Sequence, residues 1–171
     1  MGNTDSKKGT PIPSGSTDEP STFYFGTSPI VLSNNWNEIT FKFKDTTYTF
    51  GDGSTFPSND SRSDVILFPE GFERWDWKKY ETSCPSHHLG PSQTIAYFLM
   101  EKNIDHVIFT TGYGDVDRRK NGKLNINGNL VELLKSRGIQ VQIGKSEKMP
   151  EIYNDLVVDG ARVALVYHGT C

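Results

Sequence analysis

Residues 163–167 read Val163-Ala164-Leu165-Val166-Tyr167, five side chains in a row with no charged or amide residue among them. A strand with one face in water alternates apolar and polar residues, whereas an unbroken apolar run belongs to a strand covered on both faces. The sequence therefore predicts a sheet with a layer on each side. Going back along the chain, a helix precedes this strand, with Ile152, Leu156 and Val157 on its buried side and Gly160 as its stop. Ile139-Gln140-Val141-Gln142-Ile143 is a strand, and Leu130, Val131, Leu133 and Leu134 mark a helix closed by Gly138. His106-Val107-Ile108-Phe109-Thr110 is a compact strand, preceded by a helix that opens at Pro91 and buries Ile95, Phe98 and Leu99. Strand and helix alternate from residue 91 onward, the rhythm of βαβ crossovers.

The front of the folded body follows a different rule. Ile39, Phe41 and Phe43 alternate with Thr40, Lys42 and Lys44, the period of a half-buried strand. Lys44-Asp45-Thr46 turns the chain, and Tyr48 and Phe50 continue the alternation, so the pair reads as an antiparallel hairpin. A loop follows over residues 51–63, then a short apolar strand, Asp64-Val65-Ile66-Leu67-Phe68, stopped by Pro69. The expected fold class is α/β: a three-layer domain with a mixed central sheet flanked by helices and an N-terminal β-hairpin.

Residues 1–22 contain almost no large apolar side chain and are rich in Pro, Gly, Ser and Thr, so they read as a disordered arm. Residues 23–171 read as a single domain. A body of roughly 150 residues buries about 70% of its unfolded surface and needs no staples. The net charge of −3 and pI near 5.8 argue against nucleic acid, which requires clustered Lys and Arg. Two cysteines, Cys84 and Cys171, are too few for a secreted disulfide scaffold, so a reducing, intracellular compartment is the expectation. No run of about 18 apolar residues is present to make a transmembrane segment.

Three landmarks carry a family resemblance. Phe68-Pro69-Glu70-Gly71 leads into Arg74-Trp75-Asp76-Trp77; His87 lies three residues before Gly90; the chain ends His168-Gly169-Thr170-Cys171. Ser136-Arg137-Gly138-Ile139-Gln140-Val141 and the helix around Tyr153-Asn154 add to them. From about Ile30 to Cys171 the chain resembles the MTH-938-like domain family, in particular its eukaryotic adipogenesis-associated branch. That resemblance implies a three-layer α/β fold around a mixed sheet and a cytoplasmic protein without established catalytic activity. A sister branch comprises mitochondrial assembly factors for respiratory NADH dehydrogenase (complex I). The arm before residue 22 and the loop at 51–63 are longer than in compact family members, so whatever they do is particular to this chain.

The candidate sites each have a plain structural reading beside the functional one. Met1-Gly2-Asn3-Thr4-Asp5-Ser6 fits the N-myristoylation pattern, with Gly2 as the acylated residue and Lys7 and Lys8 placed to meet anionic headgroups. One myristoyl chain gives only marginal membrane binding, so reversible peripheral contact is the most it supports. Trp75 and Trp77 bracket Asp76 beside Arg74, and the expectation is that one indole packs in the structure while the other meets a partner. Cys84, His87 and His88 supply half of a zinc site without the other half, so no metal is expected. Cys84 with His87 also lacks the third group that orients a thiol–imidazole pair. Gly112-Tyr113-Gly114 follows a strand as phosphate loops do, but lacks the phosphate lysine and the immediate helix.

No catalytic set is complete and no cofactor is implied. The leading expectation is a noncatalytic interaction or regulatory module with an unidentified protein partner, cytoplasmic and peripherally membrane-bound through Gly2. The alternatives are an assembly factor like the complex I branch, and an enzyme or binder of a small anionic ligand using Arg74, His87, His88 and the Gly112–Gly114 turn.

Overall fold

Eight strands and three helices appear among the described residues of the computed structural model, which are 27–51, 63–83, 90–113 and 124–170. In chain order they are β1 (Ile30–Asn35), β2 (Glu38–Phe43), β3 (Thr46–Gly51), β4 (Val65–Phe68), β5 (Gly71–Arg74), α1 (Thr94–Glu101), β6 (His106–Thr110), α2 (Gly128–Ser136), β7 (Gln140–Gly144), α3 (Met149–Val158) and β8 (Val163–Tyr167). The strands form two sheets. One is antiparallel, β1-β2-β3; the other has the order β5-β4-β8-β6-β7. In the larger sheet β6 pairs parallel with both β7 and β8, while β4 pairs antiparallel with β8 and β5.

The mixed sheet expected from the sequence is present, and its mixture comes from β4 and β5. The front hairpin does not join it: β2 and β3 form their own sheet with β1, which packs over one face of the larger one. Alternate residues of each central strand feed opposite cores, as the two-residue period of a strand requires. Ile66, Phe109 and Val166 pack with Ile95 and Leu99 of α1 and with Leu130 and Leu134 of α2. Leu67, Ile108 and Leu165 pack on the other side with Tyr153 and Val157 of α3 and with Phe41 and Phe50 of the small sheet. All five residues of β8 are buried, so the unbroken run does mark the strand covered on both faces. Each fully buried aliphatic or aromatic side chain contributes about 1.5–3 kcal/mol, and most of the stability lies in these two cores.

Local expectations need three corrections. Pro91 lies ahead of α1, which begins at Thr94; the proline that enters a first helical turn is Pro150 of α3. The buried face of α3 is Met149, Pro150, Tyr153 and Val157, whereas Ile152 is exposed and Leu156 only half-buried. The apolar face of α1 includes Ala96 in place of Phe98, which is half-buried. Gly138 and Gly160 do stop their helices, at φ +80° and +92°, a region that residues with a Cβ rarely adopt.

Tyr153 and Asn154 have a specific task. The Tyr153 hydroxyl donates to the Pro29 carbonyl at 2.8 Å. The Asn154 amide accepts from Val31 N at 2.9 Å and donates to Val31 O at 2.8 Å, so it pairs with the open side of edge strand β1 as another strand would. Asn154→Ala removes both bonds and is expected to cost about 1–3 kcal/mol, read as a lower urea midpoint with unchanged slope.

Candidate binding site at the carboxyl edge of the sheet

The parallel strands β6, β7 and β8 all end at one edge of the larger sheet. Val65, the first residue of β4, pairs with Tyr167 near that edge, and Arg74, the last of β5, pairs with Val65. Asp64, Trp75, Gly112, Ser146 and His168 each lie just beyond a strand at this same edge. The helix after β6 packs on one face and the helix after β7 on the other. In open α/β sheets ligands bind outside the carboxyl ends of strands, where the crossovers part in this way.

Asp64 and His168, 104 residues apart, meet here. The Asp64 Oδ1 lies 2.9 Å from His168 Nδ1 and accepts the Gly169 backbone N–H at 2.8 Å. A carboxylate accepts, so it places the ring proton on Nδ1 and leaves Nε2 facing the other way. Both side chains are sealed from solvent, at 0% and 2% exposure for His168 and Asp64. Neither His168 Nε2 nor Asp64 Oδ2 has a hydrogen-bond partner among the described residues. The ring sits against two indoles, 5.8 Å from Trp75 and 5.6 Å from Trp77, centre to centre.

The backbone around the dyad is fixed by hydroxyls. Thr110 Oγ1 accepts from His168 N at 2.7 Å, and Ser146 Oγ lies 2.8 Å from Thr110 Oγ1. Ser146 Oγ also accepts Gly112 N–H at 2.9 Å and bonds the His168 carbonyl. On the opposite face the Tyr113 and Tyr167 hydroxyls are 2.6 Å apart, and Asn34 Nδ2 donates to Tyr113 at 2.7 Å. Burial raises both phenols above their ordinary pKa, Tyr167 most strongly, so this bridge between the two sheets stays neutral.

The tryptophan segment anticipated from the sequence stands at this edge. Trp75 is buried at 1% exposure and donates its Nε1–H to Thr82 Oγ1 at 2.9 Å, so it is the packing indole of the pair. Trp77 is half-buried. Asp76 accepts the backbone N–H groups of Lys78 and Lys79 at 3.0 and 3.1 Å, ordering the turn after β5. Arg74 spreads its guanidinium 4.4 Å above the Phe50 ring and so bridges the two sheets. The Gly112 amide, the cradle of the phosphate reading, is engaged by Ser146. Gly2, Cys84, His87, His88 and Gly114 lie outside the described residues.

Sequence reasoning missed two members of the edge. Asp64 was read only as the start of a strand. Trp36 stands 48% exposed in the turn between β1 and β2, where the next residue, Asn37, donates its N–H to the Gly169 carbonyl at 2.6 Å. All three tryptophans of the chain therefore gather at one end of the sheet.

The fold is a three-layer α/β arrangement around a mixed sheet, and solved structures share it. The protein designated MT938 superposes with a TM-score of 0.54 at 17% identity, over 84% of this chain and 100% of that one. A protein described as an outer membrane protein from Bartonella henselae gives 0.53 at 18%, over 85% and 98%. A protein from Bordetella parapertussis gives 0.51 at 15%, over 84% and 97%. The chain thus has an MTH938-like fold, as the landmark residues implied, and likeness at this identity is one of fold. No family model matches the sequence. Among the described residues no helix is long and apolar enough to cross a membrane.

Proposed function

We propose that this chain is a noncatalytic interaction module of the adipogenesis-associated MTH-938-like kind, which meets a protein partner through the carboxyl edge of its sheet. The observation that carries this reading is the gathering of Trp36, Trp75 and Trp77 at that edge, with Trp75 buried, Trp77 half-buried and Trp36 exposed. Tryptophan is enriched among the few residues that dominate interface energies, and indoles carried on hydrogen-bonded turns lower the ordering cost of binding. Asp76 and Thr82 fix the turn that carries Trp77, and the Asn37–Gly169 bond fixes the turn that carries Trp36.

The module is proposed to act in the cytoplasm, held at membranes reversibly through a myristoyl group on Gly2. The support for this is the Gly2…Ser6 pattern followed by Lys7 and Lys8. Two measurements test the reading separately. Gly2→Ala is expected to move the chain from the membrane fraction to the soluble one while leaving partner capture intact; unchanged partition defeats the tether. Trp36→Ser is expected to lose captured partner by tenfold or more, about 1.4 kcal/mol, with the fold retained; full capture by this variant defeats the carboxyl-edge surface.

A further inference from the structure

The two edge strands of the larger sheet are not built alike. β5, at one edge, is four residues long and carries Glu73 and Arg74. β7, at the other, has no charged residue and no proline from Gln140 to Gly144, and its Ile143 is 47% exposed. Proteins blunt edge strands with charge, proline, bulges or cover, because a row of unpaired N–H and C=O groups is a template for another strand. The parallel ladder shows which groups of β7 are open. Gln140 N–H bonds Asp105 O at 2.9 Å and Thr111 N–H bonds Gly144 O at 3.0 Å, so Gln140, Gln142 and Gly144 face β6. Val141 and Ile143 turn their N–H and C=O groups outward, where no other described strand meets them. The open row stops at these residues. Beyond it, Ile139 N–H is held by Leu134 O, and Lys145 O accepts from Lys148 N and Met149 N.

We infer that β7 is the seam of a two-fold dimer, in which it pairs antiparallel with β7 of a second copy and Gln142 lies opposite its own counterpart. A second copy is the occupant because the open row is complementary to itself. In this register Val141 of each copy faces Ile143 of the other, and every outward N–H and C=O of the row is bonded. The neighbouring registers set Ile143 against Ile139 or Val141 against Lys145, where the N–H of the one and the C=O of the other are already engaged. The side chains agree with the backbone. Val141 and Ile143 share a face of the strand, and Val141 packs against the core beneath α2. Pairing lays the Val141 of one copy beside the Ile143 of the other, a β-branched cross-strand contact that covers the exposed isoleucine. Charges agree as well. Continued past the strand ends, the register sets Arg137 against Glu147 of the second copy and Lys145 against Ile139, so no like charges oppose. Because the seam is antiparallel, the two carboxyl edges point to opposite ends and both stay open. The dimer therefore goes beyond the partner surface proposed above and does not rest on it.

The test is sedimentation equilibrium of the full-length chain over a concentration series. A monomer–dimer equilibrium that approaches twice the chain mass of 19.2 kDa is expected. Ile143→Lys puts a charge on an exposed side chain and leaves the bonds to β6 in place. It is expected to keep the fold by circular dichroism and to weaken dimerisation by about tenfold or more, since the symmetric seam carries the change twice. Gln142→Cys reads the register. Directly opposed residues that exchange no hydrogen bonds have Cα atoms about 4.5 Å apart, within reach of a disulfide. In a chain also carrying Cys84→Ser and Cys171→Ser, Gln142→Cys is expected to oxidise to a covalent dimer. Gln140→Cys, which meets Gly144 of the second copy, is expected not to. The inference is overturned if the chain sediments as a monomer throughout, if Ile143→Lys dimerises as well as the parent, or if Gln140→Cys cross-links as readily as Gln142→Cys. A monomer that still captures its partner through Trp36 rejects the seam alone. A dimer whose Trp36→Ser variant captures fully rejects the partner surface alone.

Discussion

Replacing Trp75 with alanine is expected to destabilise the protein by about 3–5 kcal/mol, the largest effect of any single indole in the chain. The side chain is 1% exposed, packs in the core beneath α1 and α2, and gives its Nε1–H to Thr82. Truncation removes the buried area, leaves a cavity, and strands the Thr82 hydroxyl. For a domain of this size each kcal/mol moves the melting temperature by about 2–4 °C, so a fall on the order of 10 °C is expected by calorimetry. Trp75→Phe keeps most of the volume and loses the hydrogen bond, so its cost should be less than half as large. A loss below about 1 kcal/mol for Trp75→Ala shows that the indole is not a core element. The account of Trp75 as the fixed member of the aromatic edge then fails.

The second large effect belongs to Asp64. Asp64→Ala removes the acceptor for both His168 Nδ1–H and Gly169 N–H, and leaves two donors buried beside an apolar wall. Breaking a buried, hydrogen-bonded pair from one side costs about 3–5 kcal/mol. The loss should fall mainly on the tie between β4 and the segment after β8, so the amides near Gly169 should lose hydrogen-exchange protection first. Asp64→Asn is the more informative variant. It keeps the volume, and with its amide oxygen in the place of Oδ1 it still accepts from Gly169 N–H and His168 Nδ1–H, so the ¹⁵N shifts should show the tautomer kept and the loss of stability should be smaller than for Asp64→Ala. A tautomer changed by Asp64→Asn would show that the oxygen facing Gly169 N–H is not what holds the proton on Nδ1.

The sequence revealed structure where neighbours in the chain are neighbours in the fold. The strands at 106–110 and 163–167 were legible because a strand buried on both faces is apolar at nearly every position, and the one at 140–144 because Val141 and Ile143 alternate with Gln140 and Gln142. β1 escaped notice because Ser33, Asn34 and Asn35 interrupt its alternation; a register shift between Val31 and Ser33 and the Asn154 side chain hold it in place. β5 was missed because its four residues give too short a pattern to read. On α3 the buried face was misplaced because Met149 and Pro150, at the helix start, carry burial that a count of Ile and Leu assigns to Ile152.

The site divides in the same way. Arg74-Trp75-Asp76-Trp77 could be singled out because tryptophan is rare and two close together are rarer. The partnership of Asp64 with His168 could not, since no spacing rule links residues 104 positions apart. It exists because β4 runs antiparallel to β8, which sets the residue before one strand beside the residue after the other. Trp36 was hidden for a related reason. Its turn reaches the edge only because the small sheet packs over the large one and hands the Asn37 N–H to Gly169.

The most direct test of the central claim, that the carboxyl edge is the working surface, is site-specific photo-cross-linking from the two ends of the sheet. A benzophenone side chain at position 36 stands at the carboxyl edge; one at position 70, in the turn between β4 and β5, stands at the opposite end, where Glu70 is 54% exposed. The account predicts a discrete cross-linked partner from position 36, displaced by excess unlabelled chain but not by its Trp36→Ser variant, and none from position 70. A partner trapped equally well from position 70, or none from position 36, contradicts it.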